Sequence, residues 1–239
     1  MACSEDRVVA APNVTDLAAM LADNTRSAII DVLMDGKAYT LSEITQRLTV
    51  TPQTVSYHLH KMWAIGVVNQ IKSGRHHYYR LASNELAATF ESLSTVAPKQ
   101  IEHRLSQRQS ATAMTYCRSC YDHLAGKVAV SLLHALEERH FVMAHSDHRL
   151  EVLSTGKDFL KAELAIDPDS IDRTRRQNTV ACLDWSERDF HLGGAWGHAL
   201  FKGLLANDYV QQTPNSRIVT VTADGRQWFA SKLALQLHG

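Results

Sequence analysis

The sequence predicts a mainly helical protein with small β-hairpins, of the α+β class, in two units. Three observations point there. Apolar side chains recur at three- and four-residue spacing along most of the chain. Between those stripes lie short runs rich in Val, Ile and Tyr, closed by turns containing Gly, Asn or Ser, which read as hairpins. A polar stretch, 98–110, carries Lys99, Glu102, His103, Arg104 and Arg108 and divides the chain into 13–97 and 111–239, after a tail at 1–12 expected to be flexible. With 239 residues and 45% hydrophobic content, there is enough apolar surface for two small cores.

The elements follow in order. Val14, Leu17, Ala18 and Leu21 form a first helical stripe ending near Asp23, and Ala28, Ile29, Val32 and Leu33 a second, stopped by Asp35 and Gly36. Leu41, Ile44 and Leu48 give a short third helix. Thr51 then supplies a capping hydroxyl, and Pro52 occupies the first helical position, where a missing N–H costs nothing. In the helix that starts there, Val55, Leu59 and Met62 share the inward face, and Gln53, Thr54, Ser56, Tyr57, His58 and Lys61 are expected to point to solvent. Gly66 ends it. Two strands, 67–71 and 76–81, flank the turn Lys72-Ser73-Gly74-Arg75, and a last stripe of Leu86, Phe90, Leu93 and Ala97 is capped by Ser83 or Asn84 and ends before Pro98.

This order is a helix-turn-helix followed by a basic-tipped wing. The formal net charge is zero, yet no Asp or Glu lies between Glu43 and Glu85, while Arg47, Lys61, Lys72, Arg75 and Arg80 do. Double-stranded DNA suits such a surface. Phosphates reward Lys and Arg through counterion release, and the major groove admits a helix whose polar side chains reach base edges. Gln53 has the two-pronged amide that pairs with adenine.

The segments 21–26, 54–59 (Thr-Val-Ser-Tyr-His-Leu) and 74–81 (Gly-Arg-His-His-Tyr-Tyr-Arg-Leu) resemble the ArsR-type, or arsenic-repressor-like, winged helix-turn-helix regulators over about residues 13–97. That resemblance implies a homodimeric bacterial repressor that binds a palindromic operator and leaves it when an effector binds. It places Gln53, Thr54, Ser56, Tyr57 and His58 where the recognition helix meets bases and Arg75 on the wing over the backbone or minor groove; the cap Thr51 and the outer-face Lys61 complete the expected DNA-contacting set. It also implies that the stripe from Leu86 pairs with the first helix across the dimer two-fold. Two metal sites known in that family are not evident: positions near Thr40 and Ser42 hold no thiols, and 84–97 lacks the acidic and His ligand pattern.

The longer C-terminal part is where sensing of a small-molecule or metal effector is expected. The four-residue repeat of Leu124, Val128, Leu132 and Leu136 predicts a helix over 114–139 that carries Cys117, Cys120 and His123 on one face. Cys182, Asp184 and His191 form a second thiol-and-imidazole cluster. Together they offer a Cys2His2 set for zinc or another thiophilic metal such as copper(I), but no cofactor is fixed by this pattern. A metal or thiol-redox sensor, plain packing and an organic-ligand pocket all remain open. A winged-helix-like second unit is suggested by an echo of 59–70 in 200–212, and 155–159 is echoed in 224–228. Gly193, Gly194, Gly197, Asp208 and Asp224 argue against base reading there.

Catalysis is not expected. Cys120, His123, Asp184 and His191 offer the groups of a nucleophile, base and orienter, but no nucleophile elbow, phosphate-binding Gly loop or metalloprotease motif accompanies them. A small-molecule enzyme and a protein-interaction module are the alternatives of another class. No apolar run approaches 18 residues and 1–6 lacks a signal-peptide pattern, so a cytoplasmic protein with no membrane partner is expected. Four cysteines without a dense framework fit a reducing compartment.

Overall fold

The computed structural model describes residues 14–98, 105–214 and 216–237. The tail at 1–12 and most of the connecting stretch before residue 105 lie outside the described residues. In the first unit, α1 (Val14–Leu21) and α2 (Asn24–Leu33) meet at Asp23, whose carboxylate accepts from the Arg26 N–H at 3.0 Å and caps α2. β1 (Tyr39–Thr40) leads into α3 (Leu41–Arg47), which opens on a capping box: Thr40 Oγ1 accepts from Glu43 N–H, and the Glu43 carboxylate accepts from Thr40 N–H. Then come α4 (Pro52–Ala64), β2 (Val68–Ser73), β3 (His76–Leu81) and α5 (Asn84–Val96). The antiparallel sheet has the order β1-β3-β2, and the β2–β3 hairpin turns at Gly74, whose φ of 59° suits a residue without a Cβ. Ile29, Leu33, Ile44, Val55, Leu59 and Met62 are fully buried between these elements.

The second unit opens with α6 (Leu105–Tyr116), β4 (Arg118–Cys120), β5 (His123–Ala125) and α7 (Lys127–Glu138). The continuous helix expected over 114–139 is therefore two helices with a hairpin between them. Tyr121 adopts φ 57° in the hairpin turn, and Gly126 adopts φ 85° so close to the end of α6 that a Cβ would lie 2.7 Å from the Thr115 carbonyl oxygen. Leu124, read as helical by its spacing, is a strand residue. β6 (Val142–Ala144), β7 (Leu150–Val152), α8 (Ser154–Leu164) and α9 (Pro168–Asp172) follow, then β8 (Val180–Leu183), β9 (Phe190–Gly193), α10 (Gly194–Ala206), β10 (Val210–Gln212), β11 (Val219–Val221) and α11 (Ala223–Leu233).

That order contains one motif twice: hairpin, helix, hairpin, helix. β4-β5-α7-β6-β7-α8 corresponds to β8-β9-α10-β10-β11-α11. His123-Leu124 matches His191-Leu192, Phe141-Val142 matches Tyr209-Val210, and Gly156 matches Gly225. Helices α8 and α11 both stop on a left-handed alanine, Ala165 and Ala234. The short echo between 155–159 and 224–228 belongs to this duplication. The echo of 59–70 in 200–212 falls on the end of α10 and on β10, which pairs with β11.

The two units meet through buried charges. Glu91 on α5, 1% exposed, accepts from Arg118 Nη2 at 2.9 Å and from Arg217 Nη2 at 3.0 Å. Arg118 also donates to Asp184 at 3.0 Å, and Arg217 to Asp31 on α2 at 2.9 Å. Among the described residues no helix is long and apolar enough to cross a membrane.

Candidate functional site

Two constellations stand out, one in each unit. In the first, Thr51 Oγ1 accepts from the Thr54 N–H and Pro52 starts α4, which fixes the direction in which the helix leaves the turn after α3. Val55, Leu59 and Met62 anchor it in the core. Gln53, Ser56, Tyr57 and Lys61 are exposed on the opposite face and Thr54 is half-buried at its edge. Lys61 Nζ lies 4.5 Å from the centre of the Tyr57 ring, so a cation is held along an aromatic plane on this surface. Lys72, Arg75 and Arg80 extend the exposed positive charge along the wing.

In the second, the cross-strand partner of Cys120 in β4 is His123 in β5, and the partner of Cys182 in β8 is His191 in β9. The matching hairpins face each other and all four side chains are buried. Cys120 Sγ and Cys182 Sγ are 3.9 Å apart, His123 Nε2 and His191 Nε2 are 3.1 Å apart, and one donor atom from each residue falls within 4.8 Å of the others. Behind the imidazoles stand carboxylates: Asp122 Oδ1 is 3.4 Å from His123 Nδ1 and Asp184 Oδ2 is 3.5 Å from His191 Nδ1. A cavity of about 470 Å³ reaches this cluster between the start of α5 and Arg176.

Electrostatics differ sharply around the four. The Cys120 thiol is pushed up by its hydrogen bond with Cys182 and by burial. Burial also holds the His191 imidazole well below its ordinary value, and the neighbouring His123 adds to this. For Asp184, burial opposes ionisation, yet the Arg118 guanidinium, Ser186 and the Gly126 N–H outweigh it and keep the carboxyl at about 2. Asp122 is likewise ionised: hydrogen bonds with His123, His198 and Arg176 overcome its burial and hold it far below the usual carboxylate range.

A family model described as a helix-turn-helix domain matches residues 21–71. Over 226 residues the chain is 34% identical to the HTH-type transcriptional regulator YdfF of Bacillus subtilis (strain 168), covering 95% of this chain and 99% of that protein. This chain belongs to the HTH-type transcriptional regulators. Among solved structures, this HTH-type regulator is similar to HlyU of Vibrio cholerae, with 28% identity over 35% of this chain and 89% of that one at a TM-score of 0.32. It is also similar to the homodimeric winged helix-turn-helix DNA-binding domain of Mb0332 from Mycobacterium bovis, with 25% identity over 44% and 96% of the two chains at a TM-score of 0.35.

Three site expectations need correction in this HTH-type regulator. His58 does not face outward: it is 8% exposed, packs edge-on to Tyr57 at 5.2 Å, and its Nδ1 lies 3.8 Å from the Asp23 carboxylate that caps α2. Position 58 lies one turn before Met62 and beside Leu59, so the inward face is wide enough to include it. Cys117 does not join the thiol cluster, because it closes the last turn of α6 and is fully buried in the apolar core with Leu124 and Val128. Burial pushes its thiol up. Asp184 stands behind the cluster rather than in it, its oxygens engaged by Arg118, Gly126 and Ser186. Arg118, Glu91 and Arg217 were not found from sequence. Their partners lie 27 to 186 residues away, beyond any local spacing signal.

Proposed function

We propose that this HTH-type regulator is an ArsR-type homodimeric repressor. It reads a palindromic operator in double-stranded DNA with α4 and the wing, and it lets go when an effector binds the C-terminal unit. The observation that carries the reading is the division of α4 into a fully buried face and an exposed face of Gln53, Ser56, Tyr57 and Lys61, set beside the positive wing. Thr51 and Thr54 shape the start of that helix, and Arg75 at the wing tip meets phosphate or the minor groove.

Pairing of two chains is supported by apolar surface outside the core. Val14 on α1 is 71% exposed, and on α5 Leu93 and Val96 are 44% and 78% exposed. Burying these against a second copy removes them from water and sets two copies of α4 at the spacing of one helical turn of DNA. A cytoplasmic setting follows from a DNA target. The test is footprinting of the full-length protein on DNA upstream of its own coding sequence, with the mass of the complex measured in parallel. A two-fold symmetric footprint with two chains per site is expected. Retention of random duplex with equal affinity at all salt concentrations would overturn the reading.

A further inference from the structure

We propose that Cys120, His123, Cys182 and His191 bind one zinc ion tetrahedrally, and that its occupancy is the signal that lowers operator affinity. The second half rests on the repressor reading above; the site itself does not. In a tetrahedral zinc site, bonds of about 2.3 Å to sulfur and about 2.05 Å to nitrogen put sulfur atoms about 3.8 Å apart and nitrogen atoms about 3.3 Å apart. The corresponding edges are 3.9 Å between the two Sγ atoms and 3.1 Å between the two Nε2 atoms. Two opposite edges of the frame therefore already have the right length, and all four donors lie within 4.8 Å of one another.

The surroundings are those of a ligand set. Each imidazole turns Nε2 towards the centre and Nδ1 towards a carboxylate, Asp122 for His123 and Asp184 for His191, the arrangement that orients a metal-bound histidine. His191 is 0% exposed and its Nδ1 lacks a well-aligned hydrogen bond. Gly193 keeps the space beside His123 open, since a Cβ there would sit 3.2 Å from Nε2. Two thiolates and two neutral imidazoles cancel the charge of a divalent ion, so the loaded centre is neutral, as a buried site requires. A monovalent ion would leave a net negative charge in the same place. Mixed nitrogen and sulfur ligands in a tetrahedron select zinc over harder cations. The duplicated hairpins explain the origin of the set: each contributes one thiol and one imidazole from directly paired strand positions.

A short chain of contacts links the centre to the DNA-binding unit. Asp184, behind His191, is bonded to Arg118, and Arg118 to Glu91 on α5, the helix with the exposed apolar surface proposed to pair the two chains. A shift of either hairpin on ion binding therefore pulls on α5.

The experiment uses full-length protein purified with a reductant and a chelator. Cobalt(II) serves as the optical probe and zinc as its competitor. One cobalt per chain is expected, with the intense visible bands of a tetrahedral site and a thiolate-to-metal absorption, both erased by equimolar zinc. Cys117→Ser should keep the spectrum, and Cys120→Ser or Cys182→Ser, checked for folding by circular dichroism, should lose it. No uptake by the reduced protein, an unchanged spectrum in the Cys120→Ser and Cys182→Ser variants, or a Cys120–Cys182 disulfide forming in place of metal binding would overturn the site. Operator binding is then measured with and without one equivalent of zinc. Weakening by about tenfold, absent in Cys182→Ser, is expected from a coupling of ordinary size. Zinc uptake without a change in operator affinity would overturn the signalling half alone, whereas absence of operator binding in both states would count against the repressor reading.

Discussion

At the scale of single residues, exposure separates the side chains proposed to read bases from those that hold α4 in place. Gln53 presents an amide from the first turn of α4, where a bidentate contact to adenine is within reach. Gln53→Ala is expected to flatten preference at one operator position, a loss of about 1–3 kcal/mol there with random DNA bound as before. Binding measured on a panel of operator variants checks this. Arg75 is proposed to act through charge, so Arg75→Ala should weaken every duplex alike and reduce the slope of log affinity against log salt by about one. His58 lies buried against Asp23. His58→Ala should therefore leave base preference intact and lower the midpoint of thermal unfolding. The polar character of position 58 was visible in the sequence, but its direction was not. A histidine satisfies both a polar outer face and a buried place near a carboxylate, and only the packing of α2 on α4 distinguishes them.

At the scale of elements, the second unit depends on glycines where a helix crosses a neighbouring strand end. At Gly156 a Cβ would run into the Phe141 carbonyl, and at Gly225 into that of Tyr209, the same contact in the two halves of the duplication. Gly156→Ala and Gly225→Ala should each cost about 1–3 kcal/mol, since the obstacle is backbone and cannot rotate away. Urea unfolding would show it. The stacking of Phe141 on Phe159 and of Tyr209 on Trp228 fills the equivalent space beside each glycine. Helix starts marked by Thr51 and Ser83 were legible in the sequence, because a capping hydroxyl acts within three residues. The β4–β5 hairpin was not, because Cys117 to Ala125 contains no Asn-Gly or Asp-Gly turn and its apolar residues also fit a helical spacing.

At the scale of the whole molecule, the buried charges Glu91, Arg118, Asp184 and Arg217, with Asp31 at their exposed edge, fasten the C-terminal unit to the DNA-binding unit. Two guanidiniums converge on Glu91, so its removal takes one carboxylate partner from each of two buried cations and leaves Arg118 with Asp184 and Arg217 with Asp31. Glu91→Ala is expected to cost about 3–5 kcal/mol, far more than an exposed ion pair. Differential scanning calorimetry should report a lower transition temperature. Replacing the exposed pair Arg149 and Asp147 should change that temperature little.

The sequence by itself determined the winged helix-turn-helix, the start of α4 and its exposed polar face, and the basic wing, because caps, glycine turns and helical periodicity act over a few neighbouring residues. It also contained the thiols and imidazoles of the second unit. Only the tertiary structure decided which of them meet. Cys120 and Cys182 are separated by 62 positions, and the pairing of two duplicated hairpins, not any spacing along the chain, brings them within 3.9 Å. The same packing turned Cys117 into the apolar core and placed Asp184 behind His191, since strand direction and burial, which are set by distant contacts, fix where a side chain points.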